Sequence, residues 1–288
     1  MAKGRELKGR IKSVENTRKI TRTMEMVATS KMKRAHDRVV AARPYAKALG
    51  EVMSRLYSPE LAERFPLLRQ PGSVRRAAVI LMTANRGLAG AFNANLIKEG
   101  RNLIGQLERD GTEVDIHAVG RKGLGYFRYV GRAVASSRID IGDRPTAQNA
   151  AELVDDLMAS FANGQIDALY VVFAHFKSAI STPPTTERIL PITPPAGDAG
   201  PQRDYLLFPS AEEILTALLP SYVRNSVYRA LVENTAAFYS AQRTAMKNAT
   251  DNATDMLKIL GRTYNRARQA NITQEIAEIV GGAAALQG

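Results

Sequence analysis

The chain has 288 residues, 45% of them hydrophobic, and a formal net charge of +12 at neutral pH. It contains no cysteine, which excludes disulfides and thiolate metal sites. No run of about 18 apolar residues is present, so a membrane-spanning helix is excluded as well. The length allows one or two domains with a buried core.

The positive charge is concentrated near the N-terminus. Residues 1 to 57 carry 15 Lys and Arg against 5 Asp and Glu, whereas residues 58 to 209 carry 17 against 16, and residues 210 to 288 carry 8 against 7. A helix this basic is typical of a surface that binds nucleic acid, a membrane or an acidic protein. The alternative is a solvated helix face, although the excess is unusually concentrated for one.

The first predicted element is one helix from Arg5 to about Tyr57, because glycine is absent between Gly9 and Gly50. A helix of roughly 50 residues would be about 75 Å long, more than a globular domain of this size needs. Its mostly apolar heptad positions predict a coiled coil. They are Leu7, Val14, Thr21, Ala28, Ala35, Ala42, Leu49 and Leu56.

The middle of the chain alternates between strand and helix patterns. This alternation predicts a mostly parallel α/β sheet, followed by a proline-rich irregular passage. Strands are expected at 77–83, 114–119, 169–173 and, more weakly, 133–139, with an edge strand at 185–192 and helices at 91–107, 123–129 and 146–161.

A second long helix is predicted from Ser210, which can cap it, toward Val280. Pro220 should kink this helix or mark an early break, and the helix pattern lasts until Gly281 and Gly282. Its predicted stripe contains Val227, Leu231, Asn234, Phe238, Ala241, Ala245, Ala249, Asn252, Met256, Ile259 and Thr263.

The predicted fold is therefore α plus α/β. A long antiparallel coiled coil of the N- and C-terminal helices carries an inserted Rossmann-like α/β domain, with alanines allowing the two helices to approach closely. The corresponding segments are an N-terminal helix at 1–57, the α/β domain with its linkers at 58–209, and a C-terminal helix at 210–288.

The sequence contains no convincing catalytic, cofactor or metal motif. Gly87 and Gly90 follow a strand and open a helix, but their spacing fits no phosphate-binding loop, so a tight turn is the better explanation. The same holds for the run from Gly120 to Gly125. The three histidines, His36, His117 and His175, are far apart and lack metal-ligand spacing.

Four motifs carry a resemblance to a known family. I-T-Q-E-I-A-E-I-V-G-G-A runs from Ile272 to Ala283, K-I-T-R-T-M-E-M-V begins at Lys19, and M-K-N-A-T-D-N begins at Met246. T-A-N-R-G-L-A-G-A-F-N begins at Thr83 and departs from the family pattern at several positions. Together they resemble the gamma subunit of the rotary F-type ATP synthase over essentially the whole chain.

That resemblance implies a non-catalytic central-stalk rotor without a cofactor. The implied partners are the alpha and beta subunits of the catalytic hexamer, the epsilon subunit and the membrane-embedded c-ring, with no nucleic acid and no direct membrane insertion. The small apolar C-terminal end would enter a sleeve formed by the hexamer. No targeting extension precedes the first helix, so we expect a bacterial chain, peripheral on the cytoplasmic face of the plasma membrane.

The resemblance also implies contact residues. The family residues matching Arg268 and Gln269 hydrogen-bond a loop of a beta subunit, and Arg266 lies beside them. A basic collar is expected to face acidic levers of the beta subunits, because its cations would otherwise only repel one another. The collar comprises Lys31, Lys33, Arg34 and Arg86, and Met24 and Ala89 complete the expected contacts.

Two other functions remain open at this point. A basic coiled-coil nucleic-acid-binding protein would explain the N-terminal charge, but not the nearly neutral second helix or the motifs. A nucleotide-binding enzyme using the Arg86 loop would have to bind nucleotide as an isolated chain.

Overall fold

The computed structural model describes residues 2–56, 64–193 and 210–285. Along the chain, one very long helix precedes a five-stranded sheet and its covering helices, and a second very long helix follows them. In chain order the elements are α1 (Ala2–Leu56), a short 3-10 turn (Pro66–Leu68), β1 (Arg76–Met82), α2 (Phe92–Arg109), β2 (Glu113–Val119), α3 (Arg121–Tyr129), β3 (Ser136–Arg138), α4 (Ala147–Ala162), β4 (Ala168–Ala174), β5 (Pro184–Leu190) and α5 (Ala211–Ala285).

The sheet has the strand order β3-β2-β1-β4-β5. All neighbouring pairs are parallel except β4 with β5, which confirms the mostly parallel sheet and its edge strand. The chain order reverses direction between β1 and β4. In open α/β sheets, ligands and partners commonly bind at the carboxyl edge beside such a reversal.

Both faces of the central strand are buried, so the sheet lies between two apolar layers. Ala78, Ile80 and Met82 of β1 pack in a cluster that includes α4 and the first turns of α5. Val79 and Leu81 pack in a second cluster that contains residues of α2 and α3. The continuous apolar run that predicted β1 follows from this burial on both sides.

A glycine turn connects β2 to α3. Gly120 has a φ of 93°, and a Cβ atom there would lie 2.2 Å from the carbonyl oxygen of Thr83. The Thr83 hydroxyl accepts a hydrogen bond from the backbone N–H of Gly123 at 2.9 Å. These contacts confirm that the run from Gly120 to Gly125 serves a tight strand-to-helix turn.

The contacts of the chain group into two compact units. One comprises Thr29–Gln242, and the other comprises Met1–Ala28 together with Arg243–Gly288. In the first unit α1 and α5 are antiparallel, because Met53 shares a cluster with Leu215 whereas Ala35 shares one with Val232. The inner part of each long helix therefore packs with the sheet.

In the second unit the buried residues follow a heptad spacing. Thr21 and Ala28 of α1 are buried, as predicted, together with Met246, Thr250 and Ala253 of α5. The Thr250 hydroxyl lies 2.8 Å from the Thr21 hydroxyl. A buried polar pair of this kind favours one register of a coiled coil over others.

The predicted stripe of the second helix is wrong beyond Ala249. Met256 is 52% exposed and Ile259 is 62% exposed, whereas Ala253 is buried and Leu257 is half-buried. The buried seam keeps steps of three and four residues from Met246. The sequence-based stripe takes similar steps from Ala249 and is therefore one residue out of phase, on a neighbouring face of the helix.

The ends of α5 differ partly from expectation. Ser210 does cap the helix, since its hydroxyl accepts a hydrogen bond from the Glu213 N–H at 3.2 Å. The helix is not broken at Pro220, and it continues through Gly281 and Gly282. Burial of Leu219 and Val223 on either side of Pro220 favours the continuous helix.

None of the helices in the described ranges is long and apolar enough to span a membrane.

Candidate partner-binding surface

The basic collar contains an internal acidic partner that the sequence did not reveal. The Lys31 ammonium group lies 2.7 Å from the carboxylate of Asp143, in the loop between β3 and α4, and 3.3 Å from the Tyr239 hydroxyl of α5. The Arg38 guanidinium donates to the Asp143 carbonyl oxygen at 3.0 Å. The expectation that only another protein could neutralise the collar is therefore wrong for Lys31.

The electrostatics of Asp143 reflect these contacts. Burial disfavours its charged form, but hydrogen bonds from Lys31 and Tyr239 and the positive charges of Lys31 and Arg86 keep the pKa of Asp143 below its usual value. Burial is the main reason why the pKa of the Tyr239 hydroxyl is raised, and the interaction with Asp143 raises it further. Asp143 is therefore a carboxylate at neutral pH and Tyr239 a hydrogen-bond donor.

The other collar residues lie on the surface. Lys33, Arg34 and Arg86 are exposed. Within the described parts of the chain, no ion pair or side-chain hydrogen bond is formed by any of the three. Arg86 lines the same cleft as Asp143 and Tyr239, so its loop lies near Lys31. These three cations are available to an acidic partner.

The Arg86 loop borders a cleft of about 470 Å³ at the carboxyl edge of the sheet. The polar groups beside Arg86 are used within the chain. Asn93 accepts a hydrogen bond from the Ala84 N–H at 2.9 Å, while the Asn85 amide donates to the Ile139 and Ile141 carbonyls at 3.0 and 3.2 Å. These contacts attach the loop to the segment that follows β3.

The C-terminal candidate residues lie on the surface of α5. Arg266, Arg268 and Gln269 are all exposed, as predicted. Farther along the same helix, Ile272 and Ile276 are 46% and 57% exposed. Cations and exposed isoleucines on a single helix form a surface that can bind a partner with both apolar and polar groups.

Two expected contact residues are less accessible. Met24 is half-buried, so only part of its side chain can reach a partner. Ala89 is 2% exposed and packs in the same core cluster as Phe92 and Leu96. The expectation that Ala89 contacts a partner is therefore wrong, because a small side chain buried in the core offers no surface to another protein.

The histidines have separate structural surroundings. His117 is hydrogen-bonded to Ser136, and burial lowers its pKa. His175 pairs with the buried carboxylate of Glu233, and the ring of His36 contacts the ring of Phe176. Across the described ranges, no group of three His, Asp or Glu residues is arranged to hold a metal ion.

Sequence reasoning missed Asp143 and Tyr239. They lie 112 and 208 residues from Lys31 along the chain, and an isolated Asp after a short strand has no distinctive spacing. The sequence offered one signal, the apolar stripe of α5. Because this stripe places Phe238 inward, the next residue, Tyr239, lies beside the stripe, where it can contact a neighbouring element.

Comparison with known proteins identifies relatives along the whole chain. The profile of the family described as ATP synthase matches residues 3–286. The ATP synthase gamma chain of Gemmatimonas aurantiaca is 68% identical over 290 residues, covering all of both chains. That of Leptospira biflexa is 42% identical and covers 99% of this chain and all of the relative.

Solved structures share the fold. A chain in the Euglena gracilis mitochondrial ATP synthase, from the complex of OSCP, F1 and c-ring, aligns with a TM-score of 0.66 at 21% identity, covering 99% of this chain and 95% of that one. A chain of the Tetrahymena thermophila central stalk and c-ring aligns with a TM-score of 0.60 at 24% identity, covering 80% and 99%.

Replacing Asp143 with Asn should lower the free energy of unfolding at pH 7 by about 0.5 kcal/mol, since partial exposure screens the ion pair. Because the folded pKa lies below the usual 3.8, this stabilisation is complete above that value and disappears as the pH falls through the folded pKa. Urea unfolding between pH 3 and 7 measures both effects. Asp156→Asn, at an exposed position, is the control, and a difference from wild type that persists fully at the lowest pH would contradict the assignment.

Proposed function

The chain belongs to the ATP synthase gamma-chain family, and from that membership we propose that it is the central-stalk rotor of an F-type ATP synthase. It performs no catalysis itself. It couples ion flow through a membrane ring to conformational change and ATP synthesis in catalytic beta subunits. The basic nucleic-acid-binding alternative has no support among the relatives.

The observation that carries this proposal is the exposed surface of the terminal parts of the long helices. The stretch of α5 after Gln269 exposes Ile272, Ile276 and Ile279, whose spacing places them on one side of the helix. α1 likewise exposes Ile20 and Val27. Apolar side chains in such number on the surface of helices indicate a surrounding protein, which supports insertion into the catalytic hexamer.

A rotor of this kind acts through differential affinity. Each orientation presents different side chains to each beta subunit, and a surface can shift a conformational equilibrium only by binding one state more tightly than another. We assign contacts with beta subunits to Arg266, Arg268 and Gln269, and to the collar residues Lys33, Arg34 and Arg86. Lys31 is assigned mainly to its internal partner, and Met24 to a partial contact.

The remaining assignments concern assembly and location. We propose that alpha and beta subunits surround the terminal parts of the helices, and that the α/β domain contacts an epsilon subunit and the c-ring. The segments 1–57, 58–209 and 210–288 are our proposed functional divisions. The complex would place this chain on the cytoplasmic face of a bacterial plasma membrane, as a peripheral protein.

Reconstitution tests the proposed function directly. The isolated chain should show no ATP hydrolysis, whereas mixing it with alpha and beta subunits of a close bacterial relative should give a stable complex with robust ATPase activity. The measurements are steady-state turnover and size-exclusion chromatography. Turnover by the purified chain alone, or failure to join the hexamer, would contradict the rotor assignment.

The double substitution Arg268→Ala with Gln269→Ala should leave the fold intact, because both side chains are exposed. Charge-assisted hydrogen bonds contribute about 1.5 to 3 kcal/mol each, so assembly or turnover of the reconstituted complex should fall about tenfold or more. Arg128→Ala removes an exposed cation of α3, outside the assigned contacts with beta subunits, and should behave as wild type. Equal loss in both variants would indicate a general charge effect.

Reversing Lys33, Arg34 and Arg86 together to Glu should weaken ATP-driven ion pumping at low salt. Each exposed contact contributes only about 0 to 1 kcal/mol, so single Ala substitutions should be nearly silent. The effect of the triple reversal should diminish at high salt, where exposed charges are screened. The control carries the same reversal at exposed cations of α2 and α3, namely Lys98, Arg109 and Arg128. Normal pumping by the collar variant at low salt would show that the collar is only a solvated surface.

A further inference from the structure

The loop between β3 and α4 is attached to both long helices by one charged cluster. Asp143 of this loop lies 2.7 Å from the ammonium group of Lys31 of α1, and the same ammonium group lies 3.3 Å from the Tyr239 hydroxyl of α5. The Lys31 side chain also lies over the Tyr239 ring, 5.2 Å from its centroid. This first attachment joins three elements that are distant in sequence.

A second attachment joins α5 to the carboxyl end of β4. The Asn234 side chain accepts a hydrogen bond from the Ala174 N–H at 3.0 Å, and the Glu233 carboxylate accepts one from the Phe176 N–H at 3.3 Å. The Ser240 hydroxyl donates to the Ala179 carbonyl at 2.5 Å.

The carboxylate of this second attachment is buried. Only 4% of the Glu233 side chain is exposed; His175 Nδ1 forms a hydrogen bond with its carboxylate, and the Arg229 guanidinium lies 3.6 Å away. A buried carboxylate with several donors holds a fixed position. The second attachment is therefore rigid as well as directional.

The two attachments act on different sides of α5. Glu233 and Ser240 are seven residues apart and so share one side, whereas Tyr239 is displaced from Glu233 by about 120° around the helix. The apolar side chains between them are those of Ala236, Ala237 and Phe238. Apolar contacts are not directional, whereas hydrogen bonds on two sides oppose rotation of the helix about its own axis.

We propose that these two attachments form a torque-bearing joint, through which the α/β part of the Thr29–Gln242 unit turns α1 and α5 together. This inference rests on the proposed rotor function and assigns a mechanical role to residues that need not touch any partner. The joint residues are Lys31, Asp143 and Tyr239 in the first attachment and Glu233, Asn234 and Ser240 in the second. They are positioning residues for the reaction of the complex.

Weakening the first attachment should make the joint more compliant without altering the partner-binding surface. The test variant combines Asp143→Asn with Tyr239→Phe, which removes the charge and one hydroxyl while nearly preserving side-chain volume. Asp143→Glu keeps a carboxylate and should restore the joint. Asp156→Asn makes the same charge change at an exposed position of α4 and is the matched control.

The experiment measures torsional fluctuation in the reconstituted complex. The chain has no natural cysteine, so Tyr129→Cys, at an 89% exposed position of α3, supplies a single thiol for a bead. The hexamer is fixed to a surface, and the angle of the bead is recorded during catalytic pauses at limiting ATP. With one of two attachments lost, the variance of the angle should increase about twofold, while the unloaded rotation rate stays at the wild-type value.

The outcomes separate this proposal from the function on which it rests. A wild-type complex that never rotates would overturn the rotor function itself. Rotation with the same angular variance in the double variant, the control and wild type would overturn the joint. If the double variant does not assemble, Ser240→Ala, which removes one hydroxyl from the second attachment, must show increased variance in its place. Wild-type variance in that variant would then overturn the joint.

Discussion

The antiparallel packing of α1 and α5 is the constraint on which the rest of the structure depends. Ala35 on one helix and Ala236 on the other are fully or almost fully buried, and their small side chains permit close approach of the helices. The same core cluster contains residues of β1 and β4. The inner parts of both helices therefore cannot separate without exposing the core of the α/β sheet.

Polar contacts then supply the specificity that apolar packing lacks. Small apolar surfaces can slide past one another with little change in free energy, whereas hydrogen bonds and ion pairs define one arrangement. The Asp143 cluster and the buried Glu233 carboxylate provide such contacts at the carboxyl edge of the sheet, and the Thr21–Thr250 pair provides one in the second unit. A rotor that transmits torque needs this combination of close packing and directional contacts.

The concentration of positive charge near the N-terminus has a mixed origin. Lys31 is used inside the chain by Asp143, and Arg38 donates to the backbone of the same residue. Lys33 and Arg34, two and three residues farther along the helix, are exposed. Net charge therefore identifies a basic helix, but not which of its cations are available to a partner. Only the latter can take part in salt-sensitive binding.

The sequence by itself determined the strands, the cap at Ser210, the inward positions Thr21 and Ala28 and the exposure of Arg268, because burial on both faces, capping and heptad spacing are local patterns. The tertiary structure alone decided the seam beyond Ala249, the continuity of the helix at Pro220, the burial of Ala89 and the pairing of Lys31 with Asp143. Each of these depends on which distant element packs against the residue, and spacing along the chain carries no information about that neighbour.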